Sequence, residues 1–124
     1  MVLSREYAPQ IVVKTEGLPR EDWLEYRRLG IGGSDAAAVL GISPFQTGRD
    51  LYYDKLKIVS ANDDDNWVAK KVGTLLEPLV AEIFSYRTGL KVYRKPFMYQ
   101  HPKYPWMLAD LDYLVELPNG KIAI

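Results

Sequence analysis

The segment GTLLEPLVAEIFSYRTGLKV, residues 73–92, contains the change of hydrophobic period that decides the fold. From Trp67 to Thr88 the apolar residues recur at helical spacing, and Gly89 is placed to end the helix. Pro78 falls inside this pattern, so we expect it to kink or split the helix. After Gly89 the sequence favours strands in a β-meander: LKVYRKPFMYQ, WMLADLDYLVEL and NGKIAI, with turns at HPKYP and PNG.

Upstream of this boundary the pattern is mainly helical. QIVVKT, residues 10–15, predicts a short strand, and Pro19 can begin a helix that runs to about Arg28 and stops before Gly30. In the segment that follows, GIGGSDAAAVLG, the glycines precede Ser34, an expected N-cap, and a run of helix formers.

A further helix is predicted from Thr47 or Gly48 to about Lys57, and SANDDDN, residues 60–66, is expected to form an acidic loop. Helices followed by strands indicate an α/β (α+β) fold with helices packed against a sheet.

The composition fits one soluble domain over residues 1–124. The chain is 48% hydrophobic, and its 16 basic and 16 acidic residues give a formal net charge of zero, so any polyanion site must be local. No cysteine is present, which excludes disulfides, Cys-based zinc sites and cysteine-ligated iron–sulfur clusters. No segment approaches a membrane span or a secretory signal, so a soluble, unexported protein is expected.

The glycine-rich turn is a candidate anion site. Amides around Gly32, Gly33 and Ser34 could converge on one anion at a helix N-terminus, and Arg27 or Arg28 could add a guanidinium. Alternatively, the glycines only form a tight turn and Ser34 only caps the helix. Because glycines before a helix are common, the glycine-rich turn by itself favours this structural interpretation over an anion site.

Carboxylates within apolar segments are candidate metal ligands. Asp110 and Asp112 fall in a predicted strand, where they would share one face with Leu108 and Leu114. If that face is buried, the two acids need a metal ion or another partner. If it is exposed, they lie in solvent. The alternation of residues is compatible with both arrangements. Glu77, in the long helix, is either an isolated surface residue or a second ligand of the same ion.

Other polar groups carry weaker signals. His101, between two predicted strands, is expected to be a turn residue rather than a metal ligand. Basic residues near the helix end could follow a phosphate backbone but are as a group more typical of a solvated surface: Arg87, Lys91, Arg94 and Lys95.

Three segments together resemble the YqaJ family of phage-type recombination exonucleases: WLEYRRLGIGGSDAAAVLGISPF, GTLLEPLVAEIFSYRTGLKV and HPKYPWMLADLDYLV. That family is similar to the phage lambda exonuclease, within the restriction-endonuclease-like nucleases that carry the PD-(D/E)xK motif. The resemblance covers about residues 17–124 and leaves 1–16 as an N-terminal extension. It implies a restriction-endonuclease-like core, with N-terminal helices packed on a mixed β-sheet.

The resemblance also implies roles for individual residues. Asp112 matches the first catalytic aspartate, a Mg²⁺ (or Mn²⁺) ligand, and Glu77 matches the helix glutamate that faces the same metal. Ser34 with the arginine upstream matches the group that holds a 5′ phosphate. The spacing from Trp23 favours Arg27 over Arg28, with neither excluded, and Gly33 belongs to the same phosphate-binding turn.

This sequence departs from the family pattern at two places. Tyr113 stands where glycine often follows the catalytic aspartate, which would narrow the approach to the site. The family's next strand carries Glu, Asp or Gln, one spacer and Lys, and this pair would follow Ile124. We therefore expect the chain to be an N-terminal part of the nuclease domain, inactive by itself and without the C-terminal part of the sheet.

For the full-length protein the resemblance implies a magnesium-dependent exonuclease of phage or prophage recombination that acts on linear double-stranded DNA. Its expected location is the cytoplasm of a bacterium or phage-infected cell. A single-strand annealing protein is the expected functional partner, and ring-like homo-oligomers occur among relatives.

Two other functions are compatible with the sequence. The chain could be a non-catalytic nucleic-acid- or protein-binding module derived from the nuclease fold. A Cas4-like or helicase-associated nuclease is the other alternative, but such proteins usually carry cluster-binding cysteines, which this chain lacks.

Overall fold

The computed structural model describes residues 8–58 and 67–124, which form an α+β arrangement of helices and two small sheets. The predicted acidic loop at 60–66 lies outside the described residues. The elements in chain order are β1 (Gln10–Lys14), α1 (Arg20–Arg27), a 3₁₀ turn (Gly33–Asp35), α2 (Ala36–Val39), α3 (Gly48–Lys55), α4 (Trp67–Thr88), β2 (Val92–Tyr93), β3 (Phe97–Gln100), β4 (Leu108–Asp110), β5 (Leu114–Glu116) and β6 (Ile122–Ala123). The fold class predicted from the sequence is confirmed.

Residue contacts divide the described chain into two compact units. The N-terminal unit comprises residues 8–58 and 97–110, and the α4 unit comprises residues 67–96 and 111–124. Each unit contains one three-stranded sheet of antiparallel pairs, in the order β1-β3-β4 and β2-β5-β6 respectively. The sequence predicted that the strands after Gly89 form one β-meander. This prediction is wrong, because these strands are divided between two sheets.

In the N-terminal unit the buried apolar side chains come from both the sheet and the short helices. Met98 on β3 is 1% exposed, and Leu108 on β4, Ala38 on α2 and Leu51 on α3 are also buried. α3 begins with a capping box in which the Thr47 hydroxyl accepts from the Asp50 amide and the Asp50 carboxylate accepts from Thr47. The hydrogen bond from the Thr47 side chain, followed by that from the Thr47 backbone, lowers the pKa of Asp50 from its ordinary value.

The turn before the 3₁₀ segment is fixed by a close backbone approach. The Ile31 amide donates to the Trp106 carbonyl at 2.6 Å, and the Leu108 amide donates to the Ile31 carbonyl at 3.0 Å. Gly30 is buried at this crossing, and a Cβ there would lie 2.4 Å from the Trp106 oxygen. Glycine is required at position 30 because the neighbouring backbone leaves no room for a side chain.

The α4 unit is built around a 22-residue helix that contains Pro78 without being split by it. Gly89, with φ +70°, follows the helix end as predicted. The helical spacing of the apolar residues is confirmed, but each large apolar side chain of α4 is at least 43% exposed. The half-buried positions include Glu77, Ala81 and Ser85, which lie four residues apart on one face.

The predicted hairpin at Pro118-Asn119-Gly120 is present. The Leu117 amide donates to the Lys121 carbonyl at 2.9 Å, and Gly120 has φ +74°. β6 therefore returns antiparallel to β5, with Val115 opposite Ala123.

The predicted continuous strand through residues 107–115 is wrong. The chain leaves β4 after Asp110 and re-enters a different sheet at Leu114, so the strand alternation is interrupted between the two acids. Leu108 and Leu114 are both buried, whereas Asp110 and Asp112 are both exposed. The acids and the leucines therefore do not share one face, so neither a buried nor an exposed common face is present.

Among residues 8–58 and 67–124, no helix combines the length and the apolar character needed to cross a lipid bilayer.

Candidate functional site

The first candidate site is a cavity of about 420 Å³ in the α4 unit. Glu77 from α4 and Asp112 from the segment before β5 both line it. Glu77 reaches the cavity because it belongs to the half-buried face of α4, and Asp112 because the break between β4 and β5 releases it from strand pairing. Two of the three carboxylates singled out in the sequence, Glu77 and Asp112, thus line one cavity, and Asp110 does not.

The rest of the cavity wall is largely apolar and aromatic. It includes Leu76, Val80 and Phe84 from α4, and Leu114 from β5.

Tyr113, the residue after Asp112, is part of this cavity wall. The guanidinium of Arg94 lies over its ring, 5.8 Å from the ring centroid, in a cation–π contact. Tyr113 also lines a second, neighbouring cavity together with Glu82 of α4. An aromatic side chain therefore occupies space beside Asp112 that glycine would leave open.

In the described part of the chain, no group of three or more His, Cys, Asp or Glu side chains is gathered in a way that could hold a metal ion. The donor set at the cavity is therefore two carboxylates. This set fits Mg²⁺ or Mn²⁺, which are commonly held by one or two carboxylates plus water and substrate phosphate. It does not fit a structural zinc site, which needs four protein ligands.

The second candidate site lies in the N-terminal unit, where Arg27 meets Ser34. The Arg27 Nη2 donates to the Ser34 hydroxyl oxygen at 2.5 Å. The guanidinium also lies over the Trp23 ring, 5.0 Å from the ring centroid, and the indole N–H donates to Asp110 at 2.7 Å. An aromatic ring and a hydroxyl thus fix the guanidinium on two sides.

Arg28, the alternative to Arg27, is turned in another direction. Its Nε donates to the Asp54 carbonyl at 3.2 Å, and Nη1 pairs with Glu25 at 2.7 Å. The hydrogen bond from Lys57 has the largest effect on the pKa of Glu25, which it lowers, and the hydrogen bond from Arg28 lowers it further. The structure therefore brings Arg27 to Ser34 and joins Arg28 to α3.

Ser34 is not the N-cap that the sequence predicted. It lies inside the 3₁₀ turn, and Gly32 is the N-cap of that turn. The Gly32 amide donates to the Asp35 carboxylate at 2.9 Å, so a side chain already satisfies this donor. α2 has only four residues, too few for a strong dipole, and cationic side chains are therefore the main positive groups here.

Gly33, also predicted in this turn, is exposed, and a Cβ added there would meet nothing within 4 Å. The space in front of the turn is therefore open to solvent. His101 is a turn residue, as expected, since its Nδ1 accepts from the Lys103 and Tyr104 amides at 3.1 Å each.

Two residues of the second site were missed from the sequence, Asp35 and Lys55. Asp35 is the buried charged residue at the centre of the site, and Lys55 reaches it from α3 at 2.9 Å. The signal for Asp35 was its position directly after Ser34 in a glycine-rich turn, where an acid favours amide capping. Nothing in the local pattern pointed to Lys55.

Comparison with known proteins decides the family. Residues 22–121 match the family model described as the YqaJ-like viral recombinase domain. The chain belongs to the YqaJ-like viral recombinase family.

This YqaJ-like chain is 38% identical over 106 residues to the uncharacterized protein YqaJ of Bacillus subtilis (strain 168). The match covers 86% of this chain but 33% of that relative, so the YqaJ-like chain spans about a third of the relative's length. No solved structure matches the chain significantly.

Proposed function

We propose that this chain is part of a magnesium- or manganese-dependent deoxyribonuclease that degrades linear double-stranded DNA. The observation that carries the proposal is that Glu77 and Asp112, distant in sequence, line one cavity in a chain of the YqaJ-like family. These are the two positions that the resemblance assigns to the metal.

In this proposal Glu77 and Asp112 hold the metal ion through carboxylate oxygens. Bound there, the metal would lower the pKa of a water molecule and neutralise charge on the phosphodiester. Asp112 is exposed and accessible to an arriving substrate, whereas Glu77 is half-buried and held by α4.

Arg27 and Ser34 are proposed to bind the terminal phosphate of the DNA strand. Within the described residues, all hydrogen bonds of the Arg27 guanidinium use Nη2, which leaves Nη1 and Nε to donate to an anion. A guanidinium can bind two phosphate oxygens at once, so a fixed arginine favours a terminal phosphate over a terminal hydroxyl. The open space at Gly33 gives the phosphate room to approach.

The same proposal includes a single-strand annealing protein as functional partner and self-association of the nuclease. Both follow from the resemblance to phage recombination exonucleases.

The proposal is tested by a nuclease assay on a 5′-phosphorylated linear duplex with Mg²⁺. Because the chain spans about a third of its relative, the product of the complete source gene is assayed beside this chain. We expect Glu77→Gln and Asp112→Asn to abolish nearly all cleavage by the complete protein. Glu82→Gln, on the same helix but not lining the Glu77 cavity, should leave cleavage unchanged. Full cleavage by the first two variants would refute the assignment.

A non-catalytic binding module is the second candidate, favoured by the mainly apolar wall of the cavity. Such a module would bind DNA or protein without needing the two carboxylates. DNA binding that persists in both carboxylate variants, together with a complete gene product that never cleaves, would support this candidate.

A further inference from the structure

Asp35 is the buried charge of the N-terminal unit, with an exposure of 6%. Its Oδ1 lies 3.2 Å from Arg27 Nη2, and its Oδ2 lies 2.9 Å from Lys55 Nζ. Oδ2 also accepts from the Gly32 amide at 2.9 Å. One carboxylate thus joins the glycine-rich turn, α1 and α3.

Burial of a carboxylate is costly unless it is paired and hydrogen-bonded. Here both oxygens have cationic partners: Oδ1 pairs with Arg27, and Oδ2 pairs with Lys55. Asp35 and Ser34 both accept from Nη2, while the Trp23 ring lies against the guanidinium. The direction of the remaining donors is therefore determined by several contacts rather than by a freely rotating side chain.

A carboxylate beside an arginine would normally weaken an anion site, because it neutralises the positive charge. Lys55 adds a second positive charge beside Asp35 and offsets this neutralisation. Its side chain is 15% exposed, and Nζ also donates to the Arg27 backbone carbonyl at 2.8 Å. Arg27 and Lys55 together carry two positive charges against one negative charge on Asp35, so the group keeps a net charge of about +1.

We propose that Asp35 is a positioning residue that orients Arg27 toward a terminal phosphate, and that Lys55 supplies the charge that keeps this site positive. The proposal rests on the proposed function, in which Arg27 and Ser34 bind that phosphate. It adds an origin for the orientation of Arg27 and a role for a lysine on α3.

The measurement is the affinity of the chain for a short duplex with a 5′ phosphate and for the same duplex with a 5′ hydroxyl, without divalent metal. The ratio of the two affinities reports on phosphate recognition and cancels general DNA binding. Asp35→Asn retains an oxygen that can accept from Gly32 but places an uncharged amide beside Arg27. We expect this variant to lower the phosphate preference about tenfold, and Asp35→Glu to restore part of it.

Lys55→Met provides an independent test, since it removes the compensating charge while its side chain keeps a similar length. It should lower the same preference about tenfold, and Lys55→Arg should retain it. Lys57→Met is the matched control, because Lys57 is an exposed lysine that pairs with Glu25 outside this group. Circular dichroism identifies any variant that fails to fold, and the Lys55 variants decide the question if Asp35→Asn is unfolded.

The outcomes separate the two proposals. If Arg27→Ala loses the phosphate preference but folded Asp35→Asn and Lys55→Met keep it, the positioning role is wrong and the phosphate site stands. If the unmodified chain has no preference, or Arg27→Ala keeps it, the phosphate assignment itself fails. Loss of the preference in all three variants, with Lys57→Met unaffected, is the result expected.

Discussion

Gly30→Ala gives a sharp test of how the glycine-rich turn is held. An added Cβ would lie 2.4 Å from the Trp106 carbonyl oxygen and 2.9 Å from Leu108 Cγ. Normal contacts need about 1 Å more space than the shorter distance, and the obstacle is backbone rather than a flexible side chain. The change must therefore push the Gly30 segment, which leads into Ser34 and Asp35, and the Trp106 segment apart.

The expected change in the free energy of unfolding of Gly30→Ala has three contributions. Forced displacement in a packed region costs about 3 kcal/mol at the upper end of the usual range. Loss of the Ile31 to Trp106 hydrogen bond adds about 1 kcal/mol. The smaller conformational freedom of alanine in the unfolded chain returns about 0.7 kcal/mol. We expect the free energy of unfolding to fall by about 3 kcal/mol.

The assay is urea unfolding of this chain followed by tryptophan fluorescence, with Gly33→Ala as the matched control. A Cβ at Gly33 meets no atom within 4 Å, so the control should change stability by less than about 1 kcal/mol. A Gly30→Ala chain as stable as its parent would refute the close approach at Trp106. Equal losses in both variants would refute the steric explanation.

Two further predictions concern local hydrogen bonds. Thr47 hydrogen bonds lower the folded-state pKa of Asp50 below its ordinary 3.8, so the stability they contribute is present above that value and is lost as the pH falls through the folded-state pKa. Asp50→Asn should therefore reduce the loss of stability on acidification below about pH 4, measured by urea unfolding at several pH values, and an unchanged acid profile would contradict this. Trp23→Phe removes the indole donor to Asp110 and should lower the unfolding free energy by about 1 kcal/mol, whereas Asp110→Asn, which keeps an acceptor, should cost less.

Several helix ends could be predicted from local chemistry, although the N-cap predicted at Ser34 was wrong. Pro19 stands at the N-cap of α1, Thr47 caps α3, and Gly89 adopts the positive φ expected after α4. These signals are reliable because each is fixed by the backbone freedom of one residue or by a hydrogen bond across one turn.

The break between β4 and β5 could not be predicted, because the alternation of apolar and polar residues continues through it. Which strands pair depends on distant partners, here β3 for β4 and β2 for β5. The exposure of the apolar residues on α4 was equally hidden, because helical spacing shows that a helix forms but not which face is covered.

In the candidate sites, too, the features that depend on local sequence could be predicted, and contacts between distant elements could not. The turn at Ser34 and the carboxylates Glu77 and Asp112 were identified from the sequence with help from the family resemblance. The family resemblance favoured Arg27 over Arg28 as the partner of Ser34 without excluding either, and the structure shows the Arg27–Ser34 hydrogen bond. Lys55 was missed because its contact with Asp35 joins two elements, and no local pattern predicts such a contact.

The proposed binding of a metal ion by Glu77 and Asp112 can be measured by calorimetric titration of this chain with Mn²⁺, with competition by Mg²⁺. We expect Mn²⁺ to bind the parent chain, to bind at least about tenfold more weakly to both Glu77→Gln and Asp112→Asn, and to bind Glu82→Gln as it binds the parent. Absence of Mn²⁺ binding to the folded parent chain, or equal binding by all the variants, would contradict this proposal.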